Sequence, residues 1–131
     1  MTSAISHPAV ARLIARANAD PDILAVLLFG SQARGDATPR SDFDVCLVLA
    51  SDAASKRQAT EKRIEYLETT DLDVVVFQAL PLHIRSRVLR EGTVLYVRDE
   101  DALYESAART ARAFEYFRPI YRGYLDQVSR G

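Results

Sequence analysis

The sequence predicts an α/β domain with a mixed β-sheet of about four strands flanked by helices. Two observations carry this. Four short apolar runs, at 23–29, 42–49, 72–77 and 93–97, are separated by stretches with helical patterning. The connections between them differ in length in a way that fixes strand directions.

The elements follow in order. Pro8 fits the first turn of a helix, and Val10, Leu13, Ile14 and Ala17 repeat at the spacing of one buried face. Pro21 stops it. ILAVLLF, residues 23–29, reads as a core strand closed by Gly30. Residues 42–49, DFDVCLVL, form a second strand that opens on acids. Ala53 to Leu67 is helix-like, with Ile64 and Leu67 marking its buried face. LDVVVF, residues 72–77, is rich in β-branched residues and reads as a third strand. Pro81 opens another helix, marked by Ile84 and Val88 and stopped by Gly92. TVLYV, 93–97, is the fourth strand. A long helix begins at Asp101 on a face of Leu103, Ala107, Thr110, Phe114 and Phe117, and Pro119 is expected to break or kink it.

About a dozen residues without a full helix pattern join the first two strands, so antiparallel pairing is expected. A helix joins the second and third, so these should run parallel with a right-handed crossover. If the three are neighbours, the end of the first strand meets the beginnings of the other two.

The chain has 131 residues, the size of one domain, taken as 1–131. Its net charge is -1, without the basic excess of a polyanion binder, so direct nucleic-acid binding is not expected. Cys46 stands alone in an apolar run and reads as a small buried hydrophobe. No apolar run reaches the roughly 18–20 residues of a membrane span, and no secretion signal is visible. The expected compartment is the cytoplasm. His7 and His83 lack metal-ligand spacing, and Arg85, Arg87 and Arg90 read as a solvated helix face.

The chemistry concentrates in GSQARGDATPRSDFDV, residues 30–45. Side chains alternate along a strand, so Asp42 and Asp44 share a face. Asp73, on the third strand, shares a face with Val75 and Phe77. Carboxylates brought together repel one another, and a hard cation such as Mg²⁺ relieves this while coupling them to phosphate. Gly30 lets backbone approach a bulky anion, and a helix starting at Ser31 would offer N–H groups to phosphate. Arg34 and Arg40 are nearby cations.

This stretch resembles the signature of the polymerase-β-like nucleotidyltransferases: Gly-Ser, ten residues, Asp-x-Asp, then a later Asp between apolar residues. The finer pattern Gly-Ser-x-Ala-Arg-Gly is similar to the minimal nucleotidyltransferase (MNT) family. The resemblance implies that Gly30, Ser31 and Arg34 bind the nucleotide. It implies that Asp42, Asp44 and Asp73 hold Mg²⁺, as two ions, and carry catalysis. Asp71 is the rival for the third carboxylate, and Asp73 is preferred because Leu72 and Val74 flank it.

MNT proteins resemble, and many are, antitoxins that transfer AMP from ATP to a tyrosine hydroxyl of a HEPN ribonuclease toxin. The resemblance therefore implies a protein adenylyltransferase with a HEPN-type toxin as acceptor and partner. The alternatives are a binding module that neutralises its partner by covering it, and a nucleotidyltransferase acting on a small molecule. FEYFRPIYRGYLDQ, near the C-terminus, is either a docking face or a helix packed on its own sheet.

Overall fold

The computed structural model describes residues 7–30, 44–51, 54–68, 70 and 72–130, with side chains as far as residue 115 in the last helix. Helix α1 (Pro8–Ala19) starts with Pro8 at its first position, and the His7 ring accepts a hydrogen bond from the Ala9 N–H at 3.2 Å. Both features satisfy the helix start without an interior cost. Strand β1 (Ile23–Phe29) follows, then β2 (Asp44–Leu49), α2 (Lys56–Leu67), β3 (Asp73–Val76), a 3₁₀ turn (Phe77–Ala79), α3 (Leu82–Glu91), β4 (Thr93–Val97) and α4 (Glu100–Arg130).

The four strands form one sheet in the order β3-β2-β1-β4. β1 pairs antiparallel with both β2 and β4, and β2 pairs parallel with β3. The directions inferred from connection length are those observed. β1 and β2 are central and are packed on both faces, which explains their unbroken apolar runs. Beyond β2, the Gln78 side chain extends the ladder: its amide accepts from the Leu49 N–H at 3.0 Å and donates to the Leu49 carbonyl at 3.1 Å.

Two apolar layers sandwich the sheet. On one face Val26, Leu28, Val45, Leu47, Val74 and Val76 pack with Val10, Leu13 and Ala17 of α1 and with Ala59 and Tyr66 of α2. On the other, Leu27, Cys46, Val48 and Phe77 pack with Val88 of α3, with Phe29, Val75, Ile84 and Leu103 at the margin. Burial pushes the Cys46 thiol pKa far up, so the thiol is inert, as its apolar context suggests.

Three sequence expectations change. α2 begins later than Ala53, at a Ser55–Gln58 capping box: Ser55 accepts from the Gln58 N–H and Gln58 from the Ser55 N–H. Its buried face is carried by Ala59 and Tyr66, whereas Ile64 is 51% exposed. Tyr66 wins because its hydroxyl donates to Asp20 at 2.8 Å while Arg16 stacks over its ring, so the large side chain is buried with its polar end satisfied. Finally, α4 runs through Pro119 as one helix, so the proline does not break it. Proline removes a single N–H from the ladder, which a helix of 31 residues can accommodate without ending.

A second polar cluster lies at the far end of the sheet, where β1 begins and β2 ends. Lys62 contacts Asp20 at 3.2 Å, Asp22 at 3.1 Å and Glu65 at 3.3 Å. Burial works against the Asp20 carboxylate, but the hydrogen bonds from Tyr66, the Asp22 N–H and Lys62 outweigh it and hold the pKa below the ordinary value. Arg98, just past β4, donates to the carbonyls of Ala17, Asn18, Asp20 and Ile23 at 2.9–3.1 Å. One guanidinium thereby caps the end of α1 and ties it to β1.

Candidate active site

The site is built at the edge where β1 ends and β2 and β3 begin. Phe29 is the register partner of Asp44, and Asp44 is the register partner of Asp73. These residues form one row across three adjacent strands. Side chains alternate along each strand. Cys46, Val48 and Val75 belong to the layer under α3, so Asp44 and Asp73 face that side too, beside Phe29. The parallel pairing of β2 and β3 is what aligns the two acids.

Gly30 closes β1 with φ +80°, a conformation that side-chain-bearing residues adopt at a cost. A second constraint acts at the same position. A Cβ at Gly30 would collide with a carboxylate oxygen of Asp44 and sit 3.2 Å from its Cγ. Glycine is therefore required both for the turn and for the close approach of the Asp44 carboxylate. Asp44 itself is half-buried, and Asp73 is exposed. An exposed carboxylate beside a half-buried one on the same face suits a site that meets a ligand from solvent.

Of the residues expected at the site, the structure brings together Gly30, Asp44 and Asp73. Ser31, Arg34, Arg40, Asp42 and Asp71 lie outside the described residues. Among the described residues, no three His, Cys, Asp or Glu side chains form a metal-holding group. Two hard oxygen donors on one face fit a Mg²⁺ site that shares its coordination with phosphate.

The sequence reading missed α3 as part of the site. A cavity of about 250 Å³ opens beside Gly30, lined by Phe29, Gly30, Ile84, Arg87, Val88 and Glu91. Arg87 is solvent-exposed, as the sequence suggested, and it also borders this cavity and pairs with Glu91 at 3.4 Å. Its neighbour Arg85 is turned elsewhere, donating to the Leu80 carbonyl at 3.0 Å. The available signal was the i, i+4 pair Arg87–Glu91 on the first helix after the third acid; it does not reveal what lies opposite.

Comparison with known proteins bears on the family and the fold. The model of the family "Polymerase beta, Nucleotidyltransferase" matches residues 12–101. A Methanocaldococcus jannaschii relative, provisionally named a protein adenylyltransferase, is 31% identical over 105 residues, covering 76% of this chain and 70% of the relative.

Solved structures share the fold. A chain of a toxin–antitoxin crystallised with AMP-PNP superposes with a TM-score of 0.67 at 19% identity, covering 92% of this chain and 95% of that one. A chain from a complex of tri-AMPylated Shewanella oneidensis HEPN toxin with MNT antitoxin gives 0.63 at 17% identity, covering 92% of each. A chain of the MntA–HepT toxin–antitoxin gives 0.64 at 17% identity, covering 91% of this chain and 95% of that one. Among the described residues, no helix is long and apolar enough to cross a membrane. With its signature glycine and carboxylates gathered on one sheet edge and most of its length matched, the chain belongs to the polymerase β nucleotidyltransferase family.

Proposed function

We propose that this chain, acting as one domain over 1–131, is a Mg²⁺-dependent protein adenylyltransferase. It transfers AMP from ATP to a tyrosine hydroxyl of a HEPN-type toxin and so acts as its antitoxin. The observation that carries the reading is the row Asp44–Asp73 on one face beside Gly30. The AMP-PNP in one matched structure supports the choice of ATP, and the relative named for protein adenylylation and the AMPylated toxin in another matched complex support a protein acceptor.

The residues divide the work by position. Gly30 leaves room for the triphosphate, with Ser31 and Arg34 donating to its oxygens. Asp42, Asp44 and Asp73 would hold Mg²⁺, which when bound neutralises charge on the phosphates. Asp73, the outermost and most exposed carboxylate of the row, receives the proton of the acceptor hydroxyl. The hydroxyl oxygen bonds to the α-phosphorus, the bond from that phosphorus to the bridging oxygen breaks, and diphosphate leaves.

The test is the intact mass of the partner after incubation with this protein, ATP and Mg²⁺. Addition of whole AMP units, lost in Asp44→Asn and Asp73→Asn, is the expected result. An unmodified partner in a formed complex with folded protein would overturn the reading. Full protection of cells by Asp73→Asn would instead favour neutralisation by binding.

A further inference from the structure

A cleft of about 310 Å³ lies between α3 and α4, past the end of β3. Phe77 and Leu82 give it apolar walls, and Arg85 of α3 and Arg109 of α4 line it from two different helices. It is well separated from the carboxylate edge: Phe77 stands four residues after Asp73, roughly 13 Å along a strand.

Arg85 is half-buried and held in place. Its Nε donates to the Leu80 carbonyl at 3.0 Å, and its guanidinium carbon lies 5.9 Å from the centre of the Phe77 ring. The terminal nitrogens carry the other donors of the group. Among the described residues they have no hydrogen-bond partner. Arg109 brings a second positive charge to the same cleft, and no carboxylate is among the described residues that line it. By contrast, Arg57 and Arg87 each sit beside a glutamate. Two like charges at one cleft repel, and an anion between them turns that repulsion into attraction. A phosphate group suits the position, because its oxygens accept the forked donors of a guanidinium and its charge balances two arginines.

We propose that the α3–α4 cleft binds a phosphate group, free or borne on an ester, through Arg85 and Arg109. The bound anion bridges the two helices. This site goes beyond the adenylyltransferase reading and does not depend on it, since the phosphates of ATP are assigned to Gly30 and Ser31 at the other end of the sheet.

The test is calorimetric titration of inorganic diphosphate into the protein in EDTA. Without a cation the clustered carboxylates repel the anion, so binding reports the arginines. Wild type should bind. Arg109→Gln, on an exposed residue, should weaken binding about tenfold or more with the circular dichroism spectrum unchanged. Arg85→Lys keeps the charge but loses the fork and should weaken it about threefold to tenfold. Arg57→Gln removes an equal charge from a side chain that is 89% exposed on α2 and should stay within about twofold. Glycerol 2-phosphate in the same titrations separates the sources: tighter binding than diphosphate assigns the site to an ester, weaker binding to the free anion. No binding of either probe by wild type would overturn the proposal. Equal affinities in Arg109→Gln and Arg57→Gln would do the same.

Discussion

Replacing Gly30 by alanine separates two roles that a single residue plays. The first effect is conformational. At φ +80° a side-chain-bearing residue is disfavoured by about 1 kcal/mol. The second is steric. The new methyl would collide with an Asp44 carboxylate oxygen and lie 3.2 Å from Cγ and 3.4 Å from Cβ. The Asp44 Cβ can stay where it is, but the carboxylate must swing away. Rotating a partly exposed side chain costs little, so the total loss of stability should be about 1–2 kcal/mol. For a chain of 131 residues that lowers the melting temperature by roughly 4–10 °C. Chemistry is more sensitive, since displacement of a catalytic group by about 1 Å can cost about 100-fold in rate.

Gly92→Ala provides the comparison. Its Cβ would collide with the Val88 carbonyl oxygen at the end of α3, but its φ of -76° is ordinary and Asp44 is not involved. Thermal unfolding and AMP transfer should be measured on both variants. Gly30→Ala should lose about 100-fold in rate for its modest loss of stability, while Gly92→Ala loses stability and keeps its rate below its melting temperature. Equal rates in the two variants at matched folded fraction would refute the claim that Gly30 sets the Asp44 carboxylate.

Other predictions follow from particular contacts. Arg98→Ala should lower stability by about 1–3 kcal/mol in chemical denaturation, because four backbone carbonyls lose their charged donor. The folded-state pKa of Asp20 is depressed, so its stabilisation is complete above the unfolded value near ~3.9 and fades as pH falls through the lower folded value. Tyr66→Phe removes one of the hydrogen bonds that lower it, so acid unfolding followed by circular dichroism should move to higher pH. Asp71→Asn should leave AMP transfer within about threefold of wild type, while Asp73→Asn should lower it by about 1000-fold, as a general base contributes about 10²–10⁴; the reverse ranking would reassign the third carboxylate.

Much of the site was legible because its signature is local. Gly30 at the end of β1 and Asp44 at the start of β2 occur within sixteen residues, and Asp73 stands out against a run of valines. The helix following Asp73 was legible as a helix and not as part of the site. Periodicity shows that Ile84 and Val88 share a face, but not that Phe29 and Gly30 lie beneath it. The same limit explains α2. Ile64 and Leu67 are its conspicuous apolar residues, yet Tyr66 is the one buried, because Asp20 from the connection between α1 and β1 meets its hydroxyl.

By itself the sequence determined the alternation of helices and strands and the strand directions. These follow from residue spacing and connection length, which are properties of nearby chain. Only the tertiary structure decided the row Phe29–Asp44–Asp73, the near-contact of Gly30 with the Asp44 carboxylate, the cavity under α3 and the Arg98 cap on α1. Each of these depends on register and packing between distant segments, which are set when the whole core closes at once.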